Sequence, residues 1–366
     1  MPILWRYLLY HFFQVFSLCV CSFISILLVT KFQDIARFAS TGAAKSFVSL
    51  FVCYQIPSIL PLAIPISCLI AAILLFQRLS RSHELTAFRS SGLGLFSIAS
   101  PLFFAGALLA FLNFTFVSEI APKCRALSKG LAYEMTATNP LSLLQKDTLI
   151  TLKNSYFDMK VLKSGKYAKD IIFIMKNLSN QRLGLLTAKE LALDGDYLTG
   201  KSVSFISSID SKKAENFDHL VIENQVEMRT KTSELGQFLH PNNWNFNFDY
   251  LNIPMIRAKR MAEHGSIEDH IPYKSYQEIA RRFSLALAAF TFTLIGTTYG
   301  IEVGRNRNKK ALFWALGLAA SFMLCFLSAK SMKHATLAPI LCYLLPHPLI
   351  LLFCLHHFKK IAEGKT

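Results

Sequence analysis

Crossing the hydrocarbon core of a bilayer as one helix takes about 20 mostly apolar residues. Six stretches of this chain qualify: His11 to Val29, Phe51 to Phe76, Leu95 to Val117, Phe283 to Ile301, Ala311 to Ala329 and Leu337 to Phe358. Three lie at each end, and ordinary polar sequence separates the two groups. Such segments must close their backbone hydrogen bonds internally, so the chain reads as a helical membrane protein. The first stretch is too long, and too weakly followed by small residues, for a cleaved leader, and it reads as a retained helix.

Charge gives the orientation. The formal net charge is +16 on a chain that is 52% hydrophobic, and the cations flank the apolar runs, which excludes a soluble nucleic-acid binder. With the N-terminus in the cytoplasm, the inside segments hold Arg6, Arg78, Arg81, Arg89, Arg305, Arg307, Lys309, Lys310, Lys359, Lys360 and Lys365. The short outside loops hold Lys31, Arg37, Lys45, Lys330 and Lys333. Eleven against five predicts both termini inside and the central segment outside, since a long domain is translocated whatever its own charge. Seven of the eight cysteines lie in the apolar runs, where a free thiol acts as a small hydrophobe. Cys124 alone lies outside them, so no disulfide within the external domain and no metal site is expected.

From Glu119 to Tyr273 the pattern becomes short β-branched and aromatic runs (DTLITL, DIIFIMKNL, VSFISSI, DHLVIE, QVEMRT) separated by the turn signals KNS, KSGK, LDGD, LTGK and DSKKAEN. This predicts an antiparallel sandwich or jelly roll. Ala121 to Ala137 reads as helix leading out of the third span, ended by Asn139-Pro140. The expected organisation is therefore residues 1–118 as spans one to three with a cytoplasmic helix near 80–92, residues 119–275 as the external all-β domain, and residues 276–366 as spans four to six.

Gly195 to Ser202 reads GDYLTGKS, a literal phosphate-loop pattern. That chemistry needs a helix opening after the lysine, so that backbone amides and the helix N-terminus face the phosphates. Here Val-Ser-Phe-Ile-Ser-Ser-Ile follows and alternates like a strand. The expected reading is two hairpin turns around a short Tyr-Leu-Thr strand, with no nucleotide and no other cofactor bound by this chain.

The stretch RLSRSHELTAFRSSG, Arg78 to Gly92, is more informative. Ser82 is placed to cap a short helix, Glu84 meets its positive end, Leu85 and Phe88 share one face, and Gly92 stops it. The plain reading is that the arginines fix topology and Glu84 pairs with Arg81. The functional reading is a membrane-surface helix whose exposed apolar residues and single acid dock into a cytoplasmic motor protein.

At these residues the chain resembles the LptF/LptG (YjgP/YjgQ) permease family of lipopolysaccharide export. The matching strings are RYLLYHFF from Arg6, KFQD from Lys31, ILPLAIPISCLIAAILLFQRLSRSHELTAFRSSG from Ile59, SEIAP from Ser118, LTAKELALDGDYL from Leu186 and EIARRF from Glu278. The resemblance implies a membrane α-helical fold of six spans, three and three, with an inserted periplasmic jelly-roll-like domain, in a Gram-negative inner membrane. It implies no catalytic residue of its own. The implied partners are a second LptF/LptG-type permease, an LptB-type ATPase dimer that hydrolyses ATP, an LptC-type bitopic protein, a periplasmic LptA-type bridge and lipopolysaccharide. By motif match, Glu84 is the acid that meets the ATPase, with His83, Leu85, Phe88 and Arg89 around it.

A phosphorylated lipid needs cations at the outer surface above an apolar cavity. Lys31, Arg37 and Lys45 follow the first span, Lys123, Arg125 and Lys129 follow the third, and Lys274, Arg281 and Arg282 precede the fourth. Lys31 and Arg282 stand out because each sits in a family-like string. Snorkelling to ordinary lipid headgroups explains any one of them equally well. Pro57, Pro61 and Pro65 in the second span, and Pro339, Pro346 and Pro348 in the sixth, are expected to kink those helices. His347, between two of them, reads as a neutral packed histidine.

Two other functions fit less well. An exporter of lipoproteins or other lipids usually has one span before its external domain and three after it. A membrane-anchored enzyme needs a convergent site, whereas His219, His240, His264 and His270 are scattered without a nucleophile. KFQD and EIARRF lean toward LptG and ATNPLSLL from Ala137 leans toward LptF, so the sequence leaves that choice open.

Overall fold

With no water to satisfy a backbone in lipid, the apolar runs close into helices. The computed structural model describes residues 3–40, 45–138, 150–152, 155–163, 167–176, 183–194, 197–209, 219–231, 247–263, 271–301, 309–332 and 337–363. Among the described residues, six helical segments are long and apolar enough to cross a membrane. They are α1 (Ile3–Thr30), α3 (Lys45–Arg81), α5 (Leu95–Thr115) continued into α6 (Ala121–Thr138), α8 (Ile271–Gly300), α9 (Lys309–Ser331), and the pair α10 (Ala338–Leu344) and α11 (Pro346–Ala362). Shorter helices are α2 (Phe32–Ser40), α4 (Glu84–Ser90) and α7 (Ile253–Glu263). One compact unit comprises Met1–Lys31, Cys53–Leu127 and Phe246–Thr366, and the other Phe32–Val52 and Ser128–Asn245.

Within the first unit, α8 is central and packs against α5, α9, α10 and α11. It carries Gly296-Thr-Thr-Tyr-Gly300, the small-xxx-small spacing that lets two helices approach closely. A Cβ on Gly296 would lie 2.7 Å from the Leu69 carbonyl oxygen and from Ala72 Cβ, and one on Gly300 would lie 3.1 Å from Ile73 Cα and Phe76 Cβ. Backbone on the far side cannot yield as a flexible side chain can. Replacing Gly296 by leucine should therefore cost about 1–3 kcal/mol or more through overpacking, read as a lowered unfolding midpoint in detergent.

The three prolines of the second span do not interrupt α3, which runs through Pro57, Pro61 and Pro65. Pro65 has no N–H for the Pro61 carbonyl. The buried Asn113 amide on α5 fills that vacancy, donating to Pro61 O at 3.2 Å and to Leu285 O on α8 at 3.0 Å. A polar residue inside an apolar span thus ties three helices together. In the sixth span the hydrogen-bond ladder is interrupted between α10 and α11, where Pro346 and Pro348, either side of His347, each lack a helical donor and the Leu349 N–H reaches Leu345 O only at 3.5 Å, while Leu345 itself keeps helical backbone angles. The third span passes through one π-helical turn, Phe116–Ile120, before α6. Helix is described through Thr138; Asn139-Pro140, where the stop is expected, lies outside the described residues.

In the second unit, six strands form one antiparallel sheet in sequential order: β1 (Ile150–Leu152), β2 (Ser155–Lys163), β3 (Tyr167–Lys176), β4 (Leu183–Asp194), β5 (Tyr197–Ile209) and β6 (His219–Lys231). The described strands are a meander. The second turn expected inside GDYLTGKS is absent, because β5 runs through Gly200, Lys201 and Ser202. The interruption is smaller. Ser202 has φ 51 and drops out of register, while Lys201 pairs with Glu190 and Glu227, and Val203 pairs with Ala188 and Gln225. Asp170 in β3 does the same, with φ 51. The flip brings Val203 over Gly200, where a Cβ would lie 2.7 Å from Val203 Cγ2 and 3.3 Å from Leu191 Cδ2.

The lysine of the motif is also accounted for by the sheet. Directly paired positions Lys169, Glu190, Lys201 and Glu227 alternate in sign across β3 to β6, a favourable cross-strand arrangement. Lys169 Nζ lies 3.4 Å from Glu190 Oε1. A hydrogen bond from Tyr167, aided by Lys169 and by the charge of Lys201 and opposed by burial, holds the Glu190 carboxyl below the usual carboxylate range.

Candidate functional site

At the end of α3 the chain reverses through His83, in the left-handed region at φ 60, and enters α4. Ser82 is not the cap its position predicts. Its hydroxyl donates backward to Arg78 O at 3.0 Å, so it closes α3 rather than opening α4. The far end of α4 matches expectation. Gly92 has φ 88, its N–H bonds Arg89 O, and the Leu93 N–H bonds Phe88 O, the paired bonds of a Schellman stop.

Tertiary packing holds this short helix in place. Leu85 is only 4% exposed and joins Leu8, Phe12, Phe76, Leu79 and Leu95 in one apolar cluster, with Phe88 half-buried against it. Leu85 is therefore an anchor, and the expectation that it is exposed for a partner is corrected. His83, Thr86, Ala87 and Ser90 form the exposed side, and Glu84 and Arg89 are half-buried. The Glu84 carboxylate is held from an unexpected direction: Tyr7 Oη donates to Glu84 Oε2 at 2.8 Å across 77 residues of sequence. Next to it, the Tyr7 ring meets His11 edge-on at 4.7 Å, and His11 Nδ1 lies 3.3 Å from Arg78 Nη1. Tyr7 sits in the family-like string RYLLYHFF, yet nothing local in that string points at Glu84.

At the opposite end of the bundle, the first turns of α8 gather the cations before the fourth span. Arg282 is 1% exposed. Its guanidinium donates to Glu278 Oε1 at 2.8 Å, Phe248 O at 2.8 Å, Leu251 O at 2.7 Å and Ser118 O at 3.4 Å. The Ser118 carbonyl belongs to the π-helical turn, which leaves it a partner to find. Arg282 is thus a fastener between α8, the third span and the segment before α7, and it presents no face to a lipid phosphate. This corrects the substrate role that its family-like string predicts.

Arg281 is committed to acids, donating to both Glu278 oxygens at 2.7 and 2.8 Å and to Asp249 Oδ1 at 2.8 Å. Its side chain is still 17% exposed. Arg125 is half-buried and donates to Ser58 O at 3.4 Å, under the charges of Arg281, Asp249, Glu278 and Arg282. Lys123 is the open cation of this group: its side chain is 64% exposed, and its pair with Glu119 at 3.5 Å is a surface contact of little strength. Glu119 also accepts from Asn252 Nδ2 at 2.9 Å. Lys274 is exposed and Lys31 half-buried, while Lys45 and Lys129 are exposed in the other unit. The Arg37 side chain lies outside the described residues.

His347 is buried against the Phe322 ring and shares a hydrogen bond of 3.1 Å with the Ser284 hydroxyl. Of the histidines weighed for an enzyme, His240, His264 and His270 lie outside the described residues, and His219 is described only as a strand position. Among the described residues no group of three His, Cys, Asp or Glu side chains could hold a metal ion.

Sequence reasoning missed Tyr7, Asn113, Glu278 and Asp249. Asn113 carried a usable signal, a lone amide inside an apolar run. The others needed tertiary structure.

No curated protein matches the chain at a significant level. The family model of the lipopolysaccharide export system permease LptF/LptG matches residues 6–360 of 366, covering both helical groups, α4 and the sheet. With six membrane-capable helices among the described residues, and an antiparallel sheet lying in sequence between the third and the fourth, the chain belongs to the LptF/LptG family of lipopolysaccharide export permeases.

Proposed function

We propose that the chain is one permease subunit of an ATP-driven exporter that lifts lipopolysaccharide from the inner membrane toward a periplasmic bridge. It spans the membrane three times on each side of a periplasmic jelly-roll-like domain, residues 119–275, with both termini and the helix near 80–92 in the cytoplasm. A second LptF/LptG-type subunit completes the cavity. The apolar faces of α1 and α9, of whose most apolar windows only 6% and 11% are buried in this chain, suit contact with lipid and that subunit. An LptB-type ATPase dimer hydrolyses ATP, an LptC-type protein and an LptA-type bridge receive the lipid, and no cofactor binds this chain directly.

The observation that carries the reading is α4: a two-turn helix seated on the apolar core by Leu85, with one acid, Glu84, at its first position. His83, Phe88 and Arg89 flank that acid where a motor groove would close over it. For the substrate, Lys31, Arg37, Lys45, Lys123, Arg125 and Arg281 supply the outer cations, with Lys123 foremost because it is the most open of its group.

Co-purification from membranes, with mass spectrometry of bound proteins and lipid, tests this reading. The expected catch is a second permease, an ATPase and lipopolysaccharide, and recovery of the chain with no ATPase would overturn it. In the same complex, Lys201→Ala should leave ATP hydrolysis at the wild-type rate, since Lys201 lies in a strand of alternating charges. A steady-state hydrolysis assay checks this, and loss of turnover would restore the phosphate-loop reading.

A further inference from the structure

The first helix is attached to the rest of the bundle chiefly at one end. Its buried residues are Leu8 and Phe12, both near its start, while Leu18, Ile26 and Val29 are 70%, 58% and 73% exposed. The polar contacts of α1 to other helices lie at that same level: Tyr7 Oη to Glu84 Oε2 at 2.8 Å, and His11 Nδ1 to Arg78 Nη1 at 3.3 Å. Leu8, Phe12 and Leu85 share one apolar cluster. Helix α4 and the start of α1 are therefore joined by packing and by a directional hydrogen bond to a charged acceptor, the stronger kind of hydrogen bond.

We infer that Tyr7 is a positioning residue that links the ATPase-contacting acid to the first membrane span, through its hydroxyl on Glu84. The inference rests on the reading of Glu84 as the coupling acid and adds to it a route into the membrane. When a partner draws the Glu84 carboxylate toward itself, the Tyr7 hydroxyl either follows or loses its acceptor. In both cases the attached end of α1 changes its restraint, and the long exposed remainder of α1 is free to respond. Coupling between sites requires an element with two arrangements: the bonded Tyr7–Glu84 pair is one, and a Glu84 carboxylate drawn off Tyr7 is the inferred other. The Tyr7 ring also meets His11 edge-on, and His11 in turn contacts Arg78 at the end of α3.

The test uses the complete complex in proteoliposomes, with ATP hydrolysis and lipopolysaccharide transfer measured together for wild type, Tyr7→Phe, Glu84→Ala and the double variant. Tyr7→Leu is run alongside, so that either Tyr7 variant that assembles carries the test. The Tyr7 variants should keep hydrolysis close to wild type while lipid transferred per ATP falls roughly tenfold, the loss appropriate to a hydrogen bond on a charged group. The double variant should be no worse than Glu84→Ala alone, because alanine offers the Tyr7 hydroxyl no acceptor and both changes then remove one link. If transfer per ATP is unchanged at Tyr7 while Glu84→Ala is impaired, the inference is overturned and the coupling role of Glu84 stands. If the two losses add in full, Tyr7 acts elsewhere and the inference is overturned as well. Wild-type behaviour of every variant would remove the Glu84 reading, and this inference with it.

Discussion

Glu84→Lys is expected to abolish lipopolysaccharide export while leaving the protein folded in the membrane. The substitution places an ammonium group where a partner groove is proposed to receive a carboxylate. Losing one member of a desolvated charge contact costs about 2–5 kcal/mol, or roughly 30-fold or more in affinity. The fold should tolerate the change because α4 is seated by Leu85 and Phe88 and stopped at Gly92, none of which depends on the acid. The internal loss is one half-buried hydrogen bond from Tyr7. Expression level, ATPase recovery on the purified permease and export should therefore separate: the first unchanged, the second reduced by at least tenfold, the third at background. Normal ATPase recovery with the charge reversed would move the contact off this helix.

Arg282→Met is expected to act in the opposite way, through the fold. Its removal leaves Glu278 short of one partner, takes one of two donors from the Phe248 carbonyl and takes the arginine donor from the Leu251 carbonyl, in a place where the arginine is 1% exposed. Breaking a buried ion pair from one side costs about 3–5 kcal/mol, a large fraction of the stability of an ordinary domain. The unfolding midpoint in detergent should drop markedly. Lys123→Glu, in contrast, should barely move it, because an exposed pair contributes at most about 1 kcal/mol, yet it should weaken binding of a phosphorylated lipid. A stable Arg282→Met protein that has lost lipid binding would return Arg282 to the substrate site.

These two residues also show what the sequence could and could not reveal. Apolar length fixes a span because lipid offers the backbone no alternative, and each predicted run lies within, or overlaps almost completely, a helix or helix pair. The strands were readable from alternation, although DHLVIE and QVEMRT proved to be one strand, His219–Lys231, with no turn between them. Glu84 stood out as one acid among arginines. The fate of Arg282 was not readable, since a cation at the end of a span looks the same whether it faces phosphate or three carbonyls. That choice was made by Phe248 and Leu251, more than 30 residues away. The Tyr7 bond, spanning 77 residues, is hidden for the same reason. Leu85 was read as exposed because the helical face it occupies was known, but the helix that covers it was not.

The central claim is that this chain moves lipopolysaccharide with energy supplied by a separate ATPase. The most direct measurement is a time course of lipopolysaccharide leaving proteoliposomes for a soluble periplasmic acceptor, with the complex assembled with and without this chain. The account predicts release that requires both ATP and this chain. Release that proceeds at the same rate without ATP, or with this chain omitted, would contradict it.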